Sequence, residues 1–254
     1  MKNKKHFFVI AVTALSLSII SLLTSFSISS VKPAMKKQSK ILIFSKTNGY
    51  RHESIETGIA AIKRLGKENY FSVDATEDSL DINDKKLSRY QAVIFLCPTG
   101  KVLGEQQQTA LQKFIHKGKG FMGIHSATDC ETNWPWYVKM IGASFDIHPK
   151  QQQAKLIVVD NTHISTKHLP AVWERWDEWY NFHNLNPDVH VLIKIDEKSY
   201  EGGKHGDNHP MAWYQNFEGG KIFYTELGHT KESYSEPLYL QHILGGIKYA
   251  LGYK

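Results

Sequence analysis

The stretch GFMGIHSATD, residues 120–129, decides the reading of this chain. An apolar run with no helical periodicity breaks at small residues, so it is expected to be a buried strand ending in a tight turn with His125 at its tip. Strand-then-turn framing of this kind is where many α/β folds present a reactive side chain on a sharp elbow. Imidazole at that point serves better as a ligand or base than as a lasting nucleophile. Ser126 does not fit a serine-hydrolase motif, because G-x-S-x-G places the serine at the centre and here the centre is His125.

Outward from that turn the chain alternates short apolar runs with helical patterns. ILIFS (41–45) reads as a strand, and ESIETGIAAIKRLGKE (53–68) as a helix with apolar residues at helical spacing. FSVDAT (71–76) and QAVIFLC (91–97) read as strands, and EQQQTALQKFIHKG (105–118) as a helix closed by its own glycine. Parallel strands need long crossovers and are covered on both faces, so a mostly parallel sheet with helices on both sides is expected. In such sheets reactive groups gather at the carboxyl ends of the strands. Beyond residue 150 the pattern changes: AKLIVVD, HVLIKID, MAWYQNF and KIFYTE read as further, partly antiparallel strands, and YLQHILGGIKYALG (239–252) as a closing helix.

Residues 1–39 form an export leader and linker in this reading, and residues 40–254 one domain. Lys2, Lys4 and Lys5 precede FFVIAVTALSLSIISLLTSFSI, an uncharged apolar stretch of 22 residues. That pattern is a signal peptide with cleavage near Ser25 or Ser27, or an anchor left uncleaved. The body is expected in the periplasm or secreted, touching a membrane only if the leader stays. The net charge of +6 misleads, because residues 1–40 hold seven lysines and no acidic residue, which leaves −1 for the rest. A nucleic-acid partner loses its main electrostatic support. Two cysteines, Cys97 and Cys130, do not make a disulfide framework.

Thirteen histidines is a high count for 254 residues. His52, in TNGYRHE, opens the first helix beside Arg51, where an anionic or oxygen-rich group could be held. WERWDEWYNF (173–182) is read as an aromatic-rich helix that sets Asp177 and Glu178 among apolar rings. A carboxylate there must be paired, bound to metal, or raised in pKa. HPMAW supplies His209, and KIFYTELGHT delivers Glu226 and His229 past a strand end. The sequence lacks H-E-x-x-H, so a metal centre would have to be assembled from distant segments.

FSKTNGYRHESI, the GIHSATD turn, DEWYNF and the run from DNHPMAWYQNF through FYTELGHT to the closing helix together resemble the ThuA-like, trehalose-utilisation family over roughly residues 40–253. The resemblance implies a class I glutamine amidotransferase-like, flavodoxin-like sandwich whose elbow carries His125 instead of cysteine, so thioester chemistry is not expected. It further implies a carbohydrate as partner, particularly sugars oxidised to 3-keto glycosides, and a divalent metal, with zinc favoured. On that basis His125, Glu178 and His229 are the expected catalytic and metal-binding residues, and Arg51, His52, Tyr180 and His209 the expected sugar-binding ones. A ketone at C3 acidifies the C2 hydrogen, so a base and an electrophile can eliminate the C1 group. Direct displacement normally uses two carboxylates flanking the bond, and Glu178 has only its neighbour Asp177. A non-catalytic sugar-binding module, or a hydrolase of another class on this fold, remains the alternative.

Overall fold

The computed structural model describes residues 38–253, so the leader lies outside the described residues. The expected alternation is present: β1 (Ser39–Phe44), α1 (Ile55–Glu68), β2 (Phe71–Thr76), α2 (Asp84–Leu87), β3 (Ala92–Leu96), α3 (Glu105–His116) and β4 (Gly120–Ile124). There follow α4 (Pro135–Ile141), β5 (Ser144–Ile147), β6 (Gln152–Val158), β7 (Val172–Asp177), β8 (Asn181–His183), β9 (His190–Ile195), β10 (Pro210–Phe217), β11 (Gly220–Thr225) and α5 (Pro237–Ala250).

Nine strands form one sheet in the order β2-β1-β3-β4-β11-β10-β9-β6-β7, while β5 and β8 make a separate two-stranded ribbon. The first five strands in that order pair in parallel, and β11 onward pair antiparallel. Every residue of β3 and β4 is buried, as continuous apolar runs in a two-sided sheet require. Strand β11 enters beside β4 because it returns from β10 through Glu218 and Gly219, whose φ values of 47° and 93° match the left-handed turn a two-residue hairpin needs. Helix α5 then lies so close on β4 that a Cβ on Gly120 would stand 2.0 Å from the Ala250 carbonyl oxygen.

One expectation is overturned. WERWDEWYNF is not a helix: its first part is the edge strand β7, with Trp173, Arg175 and Asp177 buried and Val172, Glu174 and Trp176 exposed. Tryptophan content and period-2 alternation outweigh the charges that suggested a helix. Cys97 and Cys130 are both free and buried. Among the described residues no helix is long and apolar enough to cross a membrane.

Candidate functional site

The ends of four strands converge. His52 lies between β1 and α1, His125 directly follows β4, Glu178 directly follows β7 and His229 comes four residues after β11. His125 opens a single 3-10 turn, His125–Asp129, with φ of 52°, a left-handed conformation that a non-glycine residue holds only when its surroundings impose it. Here the Tyr224 hydroxyl donates to the His125 carbonyl at 2.8 Å and the side chain is fully buried. The expected elbow is present, with His125 buried at its tip.

His125 Nε2 lies 3.2 Å from His229 Nδ1 and 3.4 Å from Glu178 Oε2, and His229 Nδ1 lies 3.1 Å from the same oxygen. The His52 ring stands edge-on to both imidazoles, with centroids 4.7 and 5.1 Å away. One ligand atom from each of the four falls within 4.8 Å of all the others. Behind them, His125 Nδ1 sits 2.7 Å from the Glu226 carbonyl, an acceptor that keeps a proton on Nδ1 and turns Nε2 toward the cluster. Ser126 Oγ is 3.4 Å from His52 Nδ1, and the Gln151 amide is 2.7 Å from His229 Nε2.

The family model described as ThuA, trehalose utilisation, matches residues 40–250. The chain belongs to the ThuA family. A ThuA-like protein from Bacteroides uniformis superposes with a TM-score of 0.72 at 24% identity, covering 87% of this chain and 94% of that one. A ThuA-like protein from Parabacteroides merdae gives 0.68 at 17% identity, covering 85% and 91%. A cytoplasmic protein from Salmonella typhimurium gives 0.58 at 10% identity, covering 83% and 98%. These likenesses concern the fold, which is the mostly parallel, amidotransferase-like sandwich expected of ThuA relatives. A comparison with curated proteins finds no match.

In this ThuA-family site His52, Glu178 and His229 floor a cavity of about 370 Å³, walled by Tyr50, Phe145 and Tyr180, with Asp129, His148 and Gln151 at its sides, and His125 lies buried beneath them. An adjoining polar cleft of about 330 Å³ shares Tyr50, Gln151 and His229 with it and adds Lys231 and Glu232. Tyr180 packs 4.4 Å from the His125 ring. It is almost wholly buried, so it shapes the wall and has little ring face left for a sugar.

Burial opposes charge on Glu178, His125, His52, Glu226 and Asp129, and neighbouring charges answer it to different extents. Burial pushes Glu178 up, and His125 and His229 overcome it to hold the carboxyl well below its usual range. Burial would lower His125, yet Glu178 and Glu226 raise it well above an ordinary imidazole. His52 is driven far down by burial, then by His125 and His229, and stays neutral. Glu226 is pushed up to about 7 by burial, against the pull of His125, and its Oε2 has no hydrogen-bond partner. Burial likewise raises Asp129, again against His125.

Of the seven residues expected at the site, His52, His125, Glu178, Tyr180 and His229 come together. Arg51 does not: its guanidinium turns outward to Glu56 at 2.6 Å and Glu77 at 2.8 Å. His209 does not either, being fully buried between Glu197 at 2.7 Å and the Tyr180 carbonyl at 2.7 Å. It supports Tyr180 from behind. His52, expected to orient a sugar, stands with His125, Glu178 and His229 in the cluster of possible ligand atoms. Asp129, Tyr50, Phe145 and Gln151 were not singled out in the sequence. Asp129 alone left a signal, an acid one short turn beyond His125.

Proposed function

We propose that the protein is an exported, metal-dependent carbohydrate-processing enzyme that acts on 3-keto glycosides. The observation that carries this reading is the spacing of His125 Nε2, His229 Nδ1 and Glu178 Oε2, 3.1 to 3.4 Å apart. Donors about 2.0–2.1 Å from a tetrahedral ion stand about 3.3 Å from one another. Three neutral nitrogens and one carboxylate, with His125 fixed by a backbone carbonyl behind it, suit zinc. His52, His125, Glu178 and His229 would hold the ion. A divalent cation bound there supplies Lewis-acid polarisation of a sugar ketone oxygen.

The chain's own groups account for the rest. The aromatic wall of Tyr50 and Phe145 excludes water on one side of a ring, and the Gln151 amide offers hydrogen bonds at the join of the two clefts. Asp177 cannot serve as a second catalytic carboxylate, because it is fully buried against Arg175 at 3.0 Å. With Asp177 buried and Glu178 given to the ion, Asp129 is the one carboxylate lining this cavity that stays free, and elimination across C1–C2 is favoured over a displacement that needs two flanking carboxylates.

The test incubates zinc-loaded protein with a 3-keto glycoside and with its parent glycoside in deuterated water, followed by NMR and mass. Cleavage of the keto form alone, with deuterium at C2 and loss of turnover on chelation, is expected. Equal cleavage of both, or full activity without metal, overturns the reading; sugar binding without turnover assigns a binding module. Amino-terminal sequencing of fractionated protein tests export, which an intact Met1 in the cytosol would refute.

A further inference from the structure

We propose that Asp129 is the base that removes the C2 proton, an assignment that rests on the 3-keto-glycoside reading above. Four titratable groups at the site, His52, His125, Glu178 and His229, each set one potential ligand atom within 4.8 Å of the others and are committed to the ion in that reading. Glu226 is fully buried behind His125 and does not line the cavity. Tyr180 keeps its hydroxyl proton, because burial pushes its pKa far up.

Of the carboxylates and imidazoles that line the cavity, that leaves Asp129 and His148. His148 Nδ1 is engaged by the Pro149 carbonyl at 2.8 Å and Glu178 Oε1 at 3.2 Å, and its side chain is 40% exposed at the mouth. Asp129 lines the cavity, is partly buried, and among the described residues its carboxylate has neither a hydrogen bond nor an ion pair. A partly desolvated carboxylate without a partner costs stability unless it meets a ligand. It is also rigidly held, since it closes the turn begun by His125 and its carbonyl accepts from Gly100 N at 2.9 Å.

In the step assigned to it, the C2–H bond breaks and its proton passes to an Asp129 oxygen. The bonding pair enters the C2–C3 enolate, then forms C1=C2 as the C1–O bond breaks. The departing alkoxide takes a proton from the Asp129 carboxyl, which restores the carboxylate, and water then adds across the double bond.

The experiment compares native protein with Asp129→Asn and Asp129→Ser, all zinc-loaded, measuring C2 deuterium exchange into 3-ketoglucose, its Kd by calorimetry, and bound zinc. Both variants are expected to keep one zinc and a Kd within about threefold while exchange falls about 100-fold or more. Exchange in the variants within threefold of native overturns the assignment, passes the role to His148 and leaves the function intact. Variants that lose zinc or unfold show a structural carboxylate and also overturn it. Absence of exchange and of turnover in the native protein fells both the assignment and the reading beneath it.

Discussion

Asp177 Oδ2 accepts a hydrogen bond from Gly228 N at 3.1 Å, and the next residues along each segment, Glu178 and His229, meet at 3.1 Å. One buried carboxylate thus ties the edge strand β7 to the loop after β11. It is held in turn by Arg175 at 3.0 Å, whose guanidinium also reaches Ser233 Oγ at 2.7 Å and stacks over Trp173 and Tyr239. Gly228 has φ of 115° and would place a Cβ 2.3 Å from the Tyr239 hydroxyl, so only glycine fits at this tie.

Replacing Asp177 by Ala leaves the buried Arg175 guanidinium only Glu236, at 3.5 Å, as a carboxylate partner, which costs about 3 kcal/mol. The variant should unfold at lower urea concentration, and zinc affinity should drop because His229 loses its register with Glu178. Unchanged zinc affinity in a folded variant would show that the tie does not position the cluster.

Zinc binding should strengthen with pH. In the metal-free protein His125 carries a proton, raised by Glu178 and Glu226, and it must give that proton up to bind an ion. One proton expelled means about a tenfold gain in affinity per pH unit, read by calorimetry in buffers of different protonation enthalpy. No proton release would contradict the buried His125–Glu178 pair.

His242 makes the fold acid-sensitive independently of the site. Its Nδ1 donates to the Ser165 carbonyl at 2.9 Å and its Nε2 accepts from Thr225 Oγ1 at 3.1 Å, and burial lowers its pKa to about 3. Between about pH 6.5 and that value the unfolded chain takes up a proton that the folded chain refuses, so stability falls with falling pH. Denaturation of native protein and His242→Asn at pH 7, 5.5 and 4.5 should show a shallower loss in the variant. Parallel curves would rule out this histidine as the source.

Gly120→Ala should cost about 1–3 kcal/mol, because the added methyl meets the backbone of α5 rather than a movable side chain. Thermal unfolding should drop by several degrees, at roughly 2–4 °C per kcal/mol for a domain of this size.

His125→Ala removes a buried donor at a left-handed position and should both abolish zinc binding and lower stability. His125→Asn, a residue that tolerates this conformation, should lose zinc with a smaller thermal shift.

The parallel half of the fold was legible because β1, β3 and β4 are continuous apolar runs separated by clear helical periodicity. The identity of the strand end after β4 was legible for the same reason, and with it His125. The segment 173–182 was misread since alternating charge and tryptophan on an edge strand resembles an amphipathic helix over so short a window. Arg51 looked like a ligand-binding cation, but Glu56 in the first turn of α1 and Glu77 after β2 neutralise it, and only the latter pairing joins distant segments. Asp129 was passed over because sequence shows that an acid is present and not that it lacks a partner.

The four donors follow β1, β4, β7 and β11, strands spread from one end of the domain to the other. Non-local pairings such as that of β4 with β11 form slowly and late. No nascent or truncated chain that lacks the segment after β11 contains the complete coordination set. Ion capture at the proposed centre would therefore be a proofreading event, open only to chains that have finished folding. A bound ion, by mass action on the native state, would hold such chains there and leave every incomplete chain to proteolysis.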